Sequence, residues 1–128
     1  MPINDMKDNL IVTLSLTFSL RVIKLIKFLN TQWVRDYTFE VLSKQLIRSG
    51  TSIGANISES ENAQSKQDFI SKLCIALKEA DETKYWLTLL NKAGYLDNAE
   101  YEAIINDNNK IIGILVTIIK KTKDGLKK

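Results

Sequence analysis

From Phe18 onward the apolar positions recur as one face of a helix. Phe18, Val22, Leu25 and Leu29 are spaced by four, three and four residues, the recurrence of a buried helical stripe. Leu16, Leu20 and Ile23 add a flanking stripe and Ile26 widens it, with Thr17, Arg21, Lys24 and Lys27 on the polar side. That apolar arc is wider than one bundle contact needs, which predicts a second surface covered by another molecule. Upstream the pattern conflicts with itself. Leu10, Val12, Leu14, Leu16, Phe18 and Leu20 alternate with mostly polar neighbours, the period of a strand. The first helix is therefore predicted over about residues 15–30, and the conformation of 1–14 stays open.

The next three segments read consistently as helices. Residues 30–36 form a connection in which Trp33 is expected to cover the bundle end. Asp36 or Thr38 supplies a side-chain oxygen for the free amides that begin the second helix near Tyr37. Leu42, Leu46, Ser49, Ile53, Asn56 and Ser60 then hold a heptad without a break. Residues 61–65 turn the chain, and Ser65 with Asp68 resembles a capping box. Phe69, Leu73, Ala76, Ala80, Leu87 and Leu90 make the core face of a third helix, interrupted by Thr83, and Gly94 is placed to end it in a left-handed conformation. Asp97 and Glu100 cap a fourth helix, whose heptad is Tyr101, Ile104, Asn108, Ile111, Leu115 and Ile118. Asn108 on that stripe is a candidate for fixing register or oligomer state. Short connections make neighbouring helices antiparallel. The expectation is an all-α, antiparallel up-down-up-down four-helix bundle, a single domain over residues 1–128 with a basic tail at 120–128.

The stretch from Ser43 to Ser60 bears most on the reading. It holds Gly50 and Gly54, two of the five glycines, amid Ser49, Thr51, Ser52, Ala55, Asn56 and Ser58. A phosphate-cradling loop needs a lysine directly after the second glycine, and Ala55 stands there. The unbroken heptad makes the stretch a helix. Each glycine costs it roughly 1 kcal/mol relative to alanine, so the missing side chains imply close approach of a neighbour, within the bundle or across a subunit boundary.

Composition narrows the chemistry. The chain has no histidine, and so lacks the usual general base and a common metal ligand. Without histidine, Glu79 and Glu82 (with Asp81 between them and Glu59 nearby) do not match the carboxylate-histidine pattern of di-metal bundles. An ion pair from Arg48 to a helix-three glutamate is expected instead, strongly destabilising to break if buried. Cys74, the only cysteine, lies between Leu73 and Ile75 and reads as a buried small side chain. Ser49, Ser52 and Ser58 lack a base to activate them. No enzyme, cofactor or metal is expected.

Charge separates the tail from the body. Net charge is +3. Residues 120–128 carry +4, through Lys120, Lys121, Lys123, Lys127 and Lys128 against Asp124, while residues 1–119 carry −1. The lysines either solvate the terminus or attract nucleic acid. Arg21, Lys24 and Lys27 form a second basic ridge. Tyr85 and Trp86 follow Lys84, and Trp86, off the strict heptad, reads as interface, core or base-stacking residue. The charges within residues 10–29 argue against a membrane span, and no signal-peptide pattern is evident, so a cytoplasmic protein without membrane association is expected.

The segment Leu42–Glu59, together with Ala63–Ile70 and Leu73–Leu87, resembles a bacterial family first noted as products of intervening sequences in 23S rRNA genes, often labelled ribosomal proteins. The resemblance is strong over about residues 39–96 and weaker over helices one and four. It implies a four-helix bundle that assembles as a homopentamer, with no enzymatic activity. It extends to the accessory protein of diversity-generating retroelements, a basic pentameric barrel that binds nucleic acid and a reverse transcriptase. The pattern carries over onto Arg48, Ser49, Gly50, Ile53, Gly54, Asn56 and Glu59, and onto Ser65, Phe69, Leu73, Glu79, Glu82, Tyr85 and Leu87. Partners implied are further copies of the chain, rRNA or other structured nucleic acid, and a nucleic-acid-processing protein. Two departures weaken the carry-over: residues 10–17 are more apolar than the family's start, and the overall charge is milder. An assembly scaffold that binds only protein is the alternative.

Overall fold

The computed structural model describes residues 6–126, with side chains from Leu10 onward. Four helices account for nearly all of it: α1 (Met6–Gln32), α2 (Tyr37–Ser60), α3 (Lys66–Lys92) and α4 (Asn98–Leu126). They form the expected antiparallel bundle. Each helix packs on two neighbours, α1 on α2 and α4, α3 on α2 and α4. The α2–α3 seam is the most extensive and the α1–α4 seam the least.

The helix boundaries follow from local chemistry. Asp36 is the cap of α2, its carboxylate accepting from the Phe39 amide at 2.9 Å. Ser65 caps α3 through the Asp68 amide at 3.0 Å, and Asp97 caps α4 through the Glu100 amide at 2.8 Å. Gly94 leaves α3 at φ 89°, which lets the Tyr95 and Leu96 amides both return to the Leu90 carbonyl. At the same end of the bundle Trp33 meets Tyr95 edge to face, with ring centroids 4.8 Å apart. The Trp33 indole donates to the Tyr95 carbonyl at 3.1 Å, and the Tyr95 hydroxyl donates to the Asp36 carboxylate. The α1–α2 and α3–α4 connections are thus tied to each other. Partial burial and the Asp36 carboxylate both raise the Tyr95 pKa.

The structure settles a stretch that the sequence left open. The alternation at 10–20 is helical, and the stretch before residue 15 belongs to the first helix from Met6. Its core face is Ile11, Ser15, Phe18, Val22, Leu25 and Leu29, all buried, at heptad spacing. The signal was masked because a serine occupies a core position, its hydroxyl folded back onto the Val12 carbonyl at 3.1 Å, while leucines face outward. At the other end, residues 120–126 of the basic stretch are helical, the last turns of α4, and all but Thr122 are exposed. Lys127 and Lys128 lie outside the described residues.

Candidate functional site

The glycine-bearing stretch is the middle of α2, and its close neighbour is α1 of the same chain. A methyl group on Gly50 would stand 3.1 Å from Val22 Cγ2, and one on Gly54 would stand 3.3 Å from both the Ser15 carbonyl oxygen and Ser19 Oγ. The glycines therefore permit packing inside the bundle. On the other side of α2, Ser49 and Thr83 are fully buried. Thr83 Oγ1 stands 3.0 Å from Ser49 Oγ and 2.8 Å from the Glu79 carbonyl oxygen. The threonine that interrupts the α3 core pattern is answered by a serine across the seam. About one turn away, buried Asn108 donates to the Ala80 carbonyl at 2.9 Å, while its Oδ1 has no partner among the described residues. Polar contacts thus set α3 against both of its neighbours.

The expected ion pair from Arg48 is present and forked. Its guanidinium reaches Glu79 at 3.1 Å and also grips Glu82. Glu82 in turn accepts from the Trp86 indole at 3.3 Å. Arg48 remains half exposed, at 48%, so the energetics of a surface pair apply and not those of a buried one. Glu59 pairs with Lys72 at 3.6 Å, and the Asn56 amide donates to the Ser52 carbonyl of its own helix at 2.8 Å. Among the described residues, no group of three or more Cys, Asp or Glu side chains is placed to hold a metal ion.

The basic residues divide into separate groups. Arg21 is taken up by two carboxylates of α4, Glu100 at 3.1 Å and Asp107. Burial opposes its charge, but these hydrogen bonds and the Coulomb attraction outweigh that and raise its pKa further. It braces the loosest seam of the bundle. Lys24 and Lys27 are exposed on α1, and Lys120, Lys121 and Lys123 are exposed at the end of α4. At 1.5 Å per helical residue, measured from the Arg21 level, Lys24 and Lys120 are roughly 25–30 Å apart. They do not form one patch.

α1 carries several of the exposed large apolar side chains. Leu10, Leu16, Leu20 and Phe28 are 47%, 62%, 52% and 57% exposed. Leu16 stands at the rim of a groove of about 320 Å³ between α1 and α2, floored by Ser15, Ser19, Thr51, Gly54 and Ala55. The sequence showed an over-wide arc on α1 but not which leucines faced out. The signal was the same alternation that imitated a strand. Cys74, expected to be buried, is exposed. It lies on the edge of α3 that opens into a groove with Leu77, Val116 and Ile119, because the core stripe passes through Leu73 and Ala76 instead. None of the described helices is long and apolar enough to cross a membrane.

The fold and its small-residue α1–α2 contact define an all-α four-helix-bundle protein. Residues 7–117 match the family of 23S rRNA-intervening sequence proteins, and the chain belongs to that family. A crystal structure at 1.70 Å of a protein of unknown function from the S23 ribosomal protein family, from Bacteroides thetaiotaomicron VPI-5482, is 51% identical and superposes with a TM-score of 0.83. The match covers 90% of this chain and 99% of that one. No curated protein matches this chain.

Proposed function

We propose that this chain is a non-enzymatic, self-assembling bundle of the cytoplasm that associates with structured RNA. The observation that carries the reading is the uncovered outer face of α1. Leu16 and Leu20 are more than half exposed, and Leu16 lines a groove whose other residues are mostly small, an arrangement in which apolar side chains of one copy can enter a shallow recess on the next. A homopentamer is the assembly that the family resemblance implies. RNA is favoured by the family's association with an intervening sequence of 23S rRNA and by the lysines at the end of α4. Closing a ring would repeat those lysines around an axis and multiply weak phosphate contacts.

Filter binding of the full chain to 23S rRNA fragments at two salt concentrations tests the RNA part. Binding is expected at low salt and should weaken as salt rises, because each neutralised phosphate releases counterions. Changing Lys120, Lys121 and Lys123 to Gln should flatten that salt dependence. Absence of binding at low salt, or binding indifferent to these substitutions, favours a scaffold whose partners are proteins alone.

A further inference from the structure

Tyr85 is 59% exposed, yet it is held in place. Its ring meets Trp86 edge-on, with centroids 5.1 Å apart and planes at 76°. The Trp86 indole is tied to Glu82, and Glu82 is gripped by Arg48 of α2. An exposed aromatic side chain usually loses rotamer freedom when something binds it; one buttressed beforehand has less to lose. Lys78 and Lys92 stand seven residues to either side, on the same stripe of α3 and about 10 Å along the axis in each direction. Both are exposed, and neither enters an ion pair among the described residues. Two carboxylates lie a turn before Tyr85, the exposed Asp81 and Glu82, the latter already engaged by Arg48.

We propose that this stripe is a binding site for single-stranded nucleic acid, with an unpaired base stacked on Tyr85 and flanking phosphates on Lys78 and Lys92. The proposal rests on the nucleic-acid reading above and adds a second contact face with a different ligand preference. Stacking needs a base free of its partner, which a duplex does not offer, and lysines flanking an aromatic ring suit a strand whose charged backbone runs past it. A protein partner would favour an apolar surround, since charged residues are depleted at the centre of protein interfaces, and here the stripe is Lys78, Asp81 and Lys92.

The test is fluorescence anisotropy with a labelled single strand of about ten nucleotides and the same strand annealed to its complement, using the full chain and its variants. Tyr85→Ala should weaken single-strand binding about 5- to 150-fold, the usual worth of one stacked base, and Tyr85→Phe should keep it. Lys78→Gln with Lys92→Gln should lower the salt slope by about 1.4, two single-strand phosphate contacts, and Asp81→Asn should tighten binding. The mass of the assembly should not change. Undiminished binding by Tyr85→Ala, equal affinity for the duplex, or a changed mass for Tyr85→Ala overturns the proposal, the last by making the ring a protein contact. If the unaltered chain binds neither strand nor rRNA, the reading above falls with it. If affinity responds to Lys120, Lys121 and Lys123 but not to Tyr85, this site alone is wrong.

Discussion

Arg48 shows how exposure sets the worth of a contact. It engages two carboxylates of α3 whose side chains differ in burial, Glu79 at 14% and Glu82 at 35% exposed, while its own side chain is nearly half open to water. Exposed pairs contribute about 0.2–1 kcal/mol each. Arg48→Ala is therefore expected to cost about 1–2 kcal/mol in urea unfolding, chiefly by leaving the sheltered Glu79 unpaired. A loss above about 3 kcal/mol would mean that the pair behaves as a buried one. Asn108 belongs to the same scale. Its orphaned Oδ1 gives up a hydrogen bond inside the core, a sacrifice consistent with specifying register more than with adding stability.

Among the elements, α1 and α2 explain each other. Gly50 and Gly54 lower the helix propensity of α2, and the compensation is close contact with Val22, Ser15 and Ser19 of α1. At Gly54 one obstacle to a larger side chain is the Ser15 carbonyl, main chain that cannot rotate away. Gly54→Leu should accordingly push α1 off α2, destabilising the fold by about 1–3 kcal/mol as overpacking does. Thermal unfolding by circular dichroism measures it, and an unchanged or raised midpoint would show the seam to be loose. The sequence made α2, α3 and α4 legible because their heptads, caps and Gly94 agree with one another. It left the start of α1 open because two demands share that helix: a core stripe that includes Ser15, and an outer face that keeps leucines. Alternation was the sum of both patterns. The Arg48 ion pair could be foreseen from charge placement on adjacent helices. The taking up of Arg21 by Glu100 and Asp107, and the exposure of Cys74, depend on how the helices are rotated about their axes, which the periodicity of one helix does not fix.

At the scale of the whole molecule, the bundle presents distinct corners. α1 offers apolar side chains beside a shallow groove, the end of α4 offers lysines, and the outer edge of α3 offers a braced aromatic ring between lysines. The first is the central claim, since self-association would bury the leucines that the isolated chain leaves in water. Mass in solution decides it most directly. Light scattering on the unaltered chain and on Leu16→Lys with Leu20→Lys should give a closed assembly, five times the 14.6 kDa chain, that the paired substitution reduces to folded monomer. A monomer for the unaltered chain, or an assembly that survives lysines at both positions, would contradict the account.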